Sequence, residues 1–150
     1  MNATRPACMS NFEIYTPTTE EVRSGEMGNR LRQFNYQFVG EYGQVQPVWS
    51  SARTDDGRLV GGVRGFVFLD WLRIELLFVD EGVRRTGLGR RLLEDAEEKA
   101  WKLGAKHAVL ETFEWQARAF YVKQGYEEFA RLENYVKGFY LAHMKKALKP

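Results

Sequence analysis

Apolar and polar positions recur along the chain with periods that define most of its elements. Phe12-Glu13-Ile14-Tyr15-Thr16 alternates with the two-residue period of a half-buried strand and stops at Pro17. Thr18-Thr19-Glu20-Glu21 then supplies a hydroxyl cap and first-turn acids, the marks of a helix start. Leu31, Phe34, Asn35 and Phe38 continue a helical stripe that Gly25 and Gly28 interrupt, which predicts one broken helix or two. Val45 to Thr54 and Arg58 to Leu69 read as strands around Asp55-Asp56-Gly57, where glycine provides the positive φ of a tight hairpin turn. In the return strand Gly61, Gly62 and Gly65 permit close backbone approach. Beyond a turn at Asp70-Trp71, the run Leu72 to Val79 predicts a central strand buried on both faces. Leu88, Leu92, Leu93, Ala96, Ala100 and Leu103 fall on one helical face, and Gly104 ends that helix. Lys106 to Thr112 predicts a strand and Trp115 to Lys123 a short helix closed by Gly125. Tyr126–Arg131 and Phe139–Ala147 predict two last strands.

This order, β, α(α), β-β-β, α, β, α, β-β, predicts an α/β (α+β) fold. It calls for a mixed, mostly antiparallel sheet of six to seven strands with helices on both faces. The strand–helix–strand unit at 72–112 should contribute a central parallel pair. No repeat or linker is visible, so 12–150 reads as a single domain behind a loose tail at 1–11, with Met1 and Met9 as alternative starts. A chain of 150 residues suits one domain and can bury roughly 70% of its unfolded surface. The net charge of +2 excludes a strongly cationic nucleic-acid wrapper, though not a local basic patch. No apolar run approaches the ~18 residues of a membrane span, and the first residues lack the apolar segment of an export signal. Cys8 is the one cysteine, so neither an internal disulfide nor a multi-cysteine zinc site is expected, and no metal site at all. The expectation is a cytoplasmic domain.

Chemistry concentrates where Leu77-Phe78-Val79-Asp80-Glu81-Gly82-Val83-Arg84-Arg85-Thr86-Gly87-Leu88-Gly89-Arg90-Arg91 joins a strand to a helix. The first N–H groups of a helix have no partner within it and carry partial positive charge. Glycines let that backbone approach a diphosphate, and Arg84, Arg85, Arg90 and Arg91 add cationic charge. A dinucleotide fingerprint fits poorly, because Gly-Leu-Gly-Arg-Arg-Leu lacks the third glycine and three strands precede this one. No Gly-Lys-Ser/Thr follows, which excludes a P-loop.

Arg84-x-x-Gly87-x-Gly89 after a strand resembles the signature of the GNAT superfamily of acyl-CoA-dependent N-acetyltransferases. Glu81 stands where that family usually has proline. A second family element is matched by Ala117-x-x-Phe120-Tyr121-x-x-x-Gly125-Tyr126, with Glu114 in place of the usual asparagine. Val79-Asp80-Glu81 and Trp115-Gln116-Ala117 are similar to a bacterial single-domain branch. The resemblance implies that acetyl-CoA lies between the two parallel strands, 72–79 and 106–112. Its pyrophosphate would rest on the amides of Arg85, Thr86, Gly87, Leu88, Gly89 and Arg90, with Arg84 adding charge. Its pantetheine arm would pair with the backbone of Leu77, Phe78 and Val79. Gln116, Phe120 and Lys123 are the other expected contacts.

The same resemblance implies direct acetyl transfer to an amine, with Tyr121 as proton donor to the CoA sulfur. Read without it, Tyr121 is a core aromatic. Glu75 lies in an otherwise apolar strand, where a carboxylate is costly unless it faces water or a site. It reads equally as a base and as an outward carboxylate paired with Arg73 or Arg64; Glu111 and water are the other candidate bases. Trp71, Asn35, Tyr135 and Tyr140 are candidate acceptor-side residues. His107 reads as a strand-edge residue and His143 as part of the last strand, and neither has metal-ligand spacing. The expected partners are acetyl-CoA and an amine, a small molecule rather than a protein. Nucleic acid is disfavoured by the acidic run Glu94, Asp95, Glu97 and Glu98. The alternative function is a catalytically degenerate acyl-CoA-binding regulatory module. Oligomeric state stays open, a homodimer included.

Overall fold

Thr18 opens the first helix in the way its sequence predicts. The computed structural model describes residues 11–150, and the expected tail lies, but for Asn11, outside the described residues. Thr18 Oγ1 accepts from the Glu21 N–H (3.2 Å) and the Glu21 carboxylate accepts from the Thr18 N–H (2.7 Å), a reciprocal cap on α1 (Thr19–Ser24). Gly25 takes φ 70°, closes α1, and lets the chain restart as α2 (Glu26–Val39). Gly28 stays inside α2, so one of the two expected glycine breaks forms. The strand expected at 12–16 does not form. Ile14 is 99% exposed and the segment pairs with no described strand, because alternation needs a sheet edge before it becomes a strand. Tyr15 instead donates its hydroxyl to the Glu21 carboxylate.

The chain divides into two compact units between Tyr42 and Gly43. The second contains β1 (Gln46–Arg53), β2 (Leu59–Phe68), β3 (Trp71–Val79), α3 (Leu88–Lys102), β4 (His107–Phe113), α4 (Arg118–Lys123), β5 (Glu127–Val136) and β6 (Phe139–Ala147). The strands form one six-stranded sheet in the order β1-β2-β3-β4-β6-β5. β3 and β4 are parallel, and every other neighbouring pair is antiparallel.

α3 buries Leu92, Leu93, Ala96 and Ala100 in a core shared with Val48, Val63, Leu72, Ile74, Leu110 and Met144. Each buried leucine, isoleucine, valine or methionine side chain is worth roughly 1.5–3 kcal/mol. That outweighs the exposed pair Lys102–Glu98 on the outer helix surface, worth at most about 1 kcal/mol. Leu92, Leu93, Ala96 and Ala100 of the expected stripe therefore hold α3 in place, whereas Leu103 caps the helix and is exposed.

Two details of β3 position the site. Its parallel pairing with β4 runs from Trp71↔His107 to Ile74↔Leu110 and stops there. The expectation of burial on both faces fails for the same reason: Leu72 and Ile74 are buried, but Leu76 (47%) and Phe78 (45%) are exposed. Against β2, Arg64 pairs with Leu76 and Gly65 with Ile74, which leaves Glu75 as the extra residue of a β-bulge. A Cβ on Gly65 would overlap the Arg73 carbonyl oxygen, so glycine is what lets β2 close on the bulge.

Candidate active site

Past Ile74 and Leu110 the strand edges of β3 and β4 no longer pair, and a cleft of about 1040 Å³ opens there. One wall is β3 from Ile74 to Val79, with backbone facing the gap. The other consists of Leu110, Glu111 and Thr112 of β4 and the chain from Trp115 into α4. The floor at one end is the turn between β3 and α3.

That turn is shaped by its own hydrogen bonds. The Arg84 Nε–H donates to the Val79 carbonyl (3.2 Å) and the Thr86 hydroxyl to the Val83 carbonyl (2.7 Å). Arg85 (φ 64°) and Gly87 (φ 85°) both take the left-handed conformation, which glycine adopts without strain and arginine does not. Gly87 caps α3 without a side-chain hydrogen bond, so the first amides of the helix keep no capping acceptor. Gly89 sits where an added Cβ would touch Val79 and Phe120, with α3, β3 and α4 converging.

Of the expected cofactor contacts, Leu77, Phe78, Val79, Arg84, Arg85, Gly87, Gly89, Arg90, Gln116, Phe120 and Lys123 all line this one cleft. Thr86 and Leu88 do not. Thr86 closes the turn, and the Leu88 side chain packs into the core beside Gly61. Arg91 is also outside the lining, and Arg90 reaches Glu94 at 3.6 Å. Glycine spacing therefore places the turn, but which side chains face the gap depends on the helix rotation.

α4 begins at Arg118 and not at Trp115. The Phe113 N–H donates to the Gln116 side-chain oxygen (2.9 Å), and the Ala117 N–H to Thr112 Oγ1 (3.3 Å), which hold 113–117 as a turn. Glu114 is bound across to β6, its carboxylate accepting from the Tyr140 N–H (3.2 Å) and its N–H donating to the Tyr140 carbonyl (3.1 Å).

Tyr121 lines the cleft from α4 and is only 7% exposed. Burial pushes its phenol up to about 12. Among the described residues nothing hydrogen-bonds its hydroxyl, yet no buried polar side-chain atom lacks a partner, so the hydroxyl opens on the cleft. Glu75 lines the cleft as well, and Arg64 Nε lies 3.4 Å from its carboxylate. Of the two pairings expected for an outward carboxylate, the one with Arg64 forms. Glu111 faces the cleft with His143 Nδ1 3.3 Å away. The sequence did not single out Ile74, Leu76, Leu110, Thr112, Trp115 or Gln124 as lining. Most are apolar or small-polar residues of ordinary strand pattern, and only the parting of β3 from β4 exposes them. Of the acceptor-side candidates, Trp71 stacks on His107, Asn35 donates to the Tyr42 hydroxyl, Tyr135 leans on Phe113, and Tyr140 lies under Arg131. Among the described residues no cluster of three or more metal-binding side chains occurs, and no helix is long and apolar enough to cross a membrane.

A parallel pair that parts over a basic, glycine-spaced helix start defines the class. The chain belongs to the acetyltransferase (GNAT) family, whose family model matches residues 9–126. It is 41% identical over 83 residues to a blasticidin-S acetyltransferase of Streptomyces morookaense, covering 55% of this chain and 61% of that protein. It is 36% identical over 80 residues to an acetyltransferase of Agrobacterium fabrum, covering 53% and 58%. The matched stretch thus spans about three fifths of each of these relatives. A crystal structure of an acetyltransferase from Bacillus cereus aligns with a TM-score of 0.81 at 29% identity, over 91% of this chain and 98% of that one.

Proposed function

We propose that this chain transfers an acetyl group from acetyl-CoA directly to a primary amine of a small molecule. The observation that carries the reading is the early end of β3–β4 pairing at Ile74↔Leu110. It opens a gap whose one end is the uncapped start of α3 with Arg84, Arg85 and Arg90, and whose wall holds the Tyr121 hydroxyl. An anionic diphosphate suits the first, because helix amides and guanidinium groups both bind phosphate oxygens. An extended amide-bearing arm suits the free β3 edge from Leu77 to Val79, which offers N–H and C=O groups as another strand would.

Acetyl-CoA would supply an activated thioester, with the C–N bond to the amine forming as the C–S bond breaks. Tyr121 delivers its phenolic proton to the departing sulfur, and its raised pKa keeps that proton in place at neutral pH. Glu75, at the bulge, accepts the amine's proton directly or through water; Glu111 is the competing base. Thr86 and Leu88 contribute backbone amides to the diphosphate cradle, and Gln116, Phe120 and Lys123 flank the cofactor from the α4 side. The likeness to a blasticidin-S acetyltransferase supports a small-molecule acceptor. A Tyr121 hydroxyl that lines the cleft without a hydrogen-bond partner among the described residues supports catalysis over a degenerate acyl-CoA-binding module.

The test is a panel of small primary amines with acetyl-CoA, read as released thiol and, by mass spectrometry, as the acetylated product. Thiol release with one or more amines supports the reading. Acetyl-CoA binding without release from any amine returns the chain to the binding-module reading.

A further inference from the structure

The β4 wall carries an aromatic stack that the transfer chemistry does not use. Phe113 and Trp115 lie face to face, ring centroids 4.5 Å apart and 6° from parallel. Tyr135 tilts onto Phe113 at 5.6 Å, and Phe139 meets Trp115 edge-on at 5.1 Å. The last two come from the β5–β6 hairpin. Its register slips between Leu132 and Val136, and its tip holds Asn134 (φ 52°), Lys137 (φ 49°) and Gly138 (φ 87°) in left-handed conformations. The hairpin thus contacts Phe113 through Tyr135 and Trp115 through Phe139. Two rings, Phe113 and Phe139, hold the indole, yet Trp115 remains 53% exposed and lines the cleft. An exposed indole held in place by its neighbours offers a planar ligand a fixed flat face.

Charge along the cleft is segregated. Arg84, Arg85 and Arg90 gather at the α3 end, whereas Glu75 and Glu111 each stand one residue past the last β3–β4 pair. Glu111 and Phe113 are two apart on β4, so they share a face, roughly 6–7 Å apart along the strand. Trp115 stacks on Phe113, so an anionic carboxylate and an indole platform lie on the same wall of the cleft.

We propose that the acceptor is a primary amine joined to a planar unsaturated ring, the ring stacking on Trp115 while the ammonium points to the carboxylates at the parting of the strands. This rests on the acetyl-transfer reading and narrows its substrate. Offset stacking on a braced ring contributes specificity beyond area burial, and a saturated ring of similar size lacks it.

The experiment compares 2-phenylethylamine with 2-cyclohexylethylamine, whose chain and charged group are the same. Each is titrated by calorimetry into the protein holding CoA, so binding is read without turnover, and each is assayed with acetyl-CoA. The expected result is several-fold tighter binding and a several-fold lower KM for the phenyl compound. Trp115→Ala should erase that preference without changing the KM for acetyl-CoA, and Trp115→Phe should restore most of it. Equal binding of the two amines, or a preference that survives Trp115→Ala, overturns the inference while leaving acetyl transfer intact. A protein that neither binds acetyl-CoA nor releases thiol overturns the acetyl-transfer reading and this inference with it.

Discussion

Tyr121 and Tyr126 rest against one another, ring centroids 5.8 Å apart and 67° inclined, but their hydroxyls have opposite surroundings. Tyr126 donates to the Glu97 carboxylate (2.9 Å), which Lys146 also holds (2.7 Å). Burial, with the neighbouring Glu97 charge, pushes the Tyr126 phenol up far enough that it stays protonated at any ordinary pH. Tyr121 has no such anchor and opens on the cleft. One tyrosine fixes the wall, and the other is available at its surface.

Tyr121→Phe should therefore lower kcat by roughly 10- to 100-fold, the low end of general acid catalysis because a thiolate leaves readily. The KM for acetyl-CoA and the melting temperature should barely move. With the Tyr121 phenol raised to about 12, the parent rate should not fall for want of this acid up to pH 10. A Phe variant at the parent rate, with chemistry shown to be rate-limiting, makes Tyr121 a packing residue.

The same burial makes an equilibrium prediction of definite sign. A phenol whose folded value is raised from 10.0 to about 12 favours folding below pH 10, and that contribution fades as pH rises through about 12. Alkaline unfolding monitored by circular dichroism should start later in Tyr121→Phe than in the parent, since the variant has one fewer buried phenol to ionise. Identical alkaline midpoints would contradict it.

Glu75→Gln should depress turnover most at low pH, where the acceptor is ammonium and needs a base. The deficit should shrink as pH rises and free amine becomes available. Arg64 lies 3.4 Å from this carboxylate, so Arg64→Ala offers a second reading of the same group. A pH–rate profile unchanged by Glu75→Gln assigns Glu75 to its ion pair alone.

At Gly87 the expected loss concerns the cofactor. Acetyl-CoA at ~100 times its dissociation constant should stabilise the parent by about 2.7 kcal/mol. Gly87→Glu should abolish that thermal shift, because a carboxylate would stand beside the diphosphate cradle. Gly87→Asn, which tolerates φ 85° better than most residues, controls for backbone strain. Full affinity in the Glu variant would refute the cradle.

Gly65→Ala should destabilise the fold by about 1–3 kcal/mol, as overpacking typically does. Its methyl would overlap the Arg73 carbonyl and force β2 off the bulge at Glu75. Denaturant unfolding gives the stability, and the melting shift with acetyl-CoA should weaken in parallel. Unchanged stability would show that the bulge can move.

Local pattern alone determined a good deal of this molecule. The Thr18 cap, the Gly25 break, the Asp55-Asp56-Gly57 hairpin, the buried stripe of α3 and the extent of β6 were all legible, because each depends on residues within a few positions of one another. Arg84-x-x-Gly87-x-Gly89 and the Ala117–Tyr126 motif were enough for the family, since their chemistry is written in residue type and spacing. Tertiary structure decided the rest. Phe12–Thr16 alternates like a strand but finds no described partner, and the β3 run looks doubly buried but loses β4 after Ile74. The bulge at Glu75, the inward turn of Leu88, and the bracing of Trp115 by Phe113 and Phe139 likewise depend on register between distant strands. Where two strands stop pairing is a property of both and of the helices packed on them, so no single segment carries it.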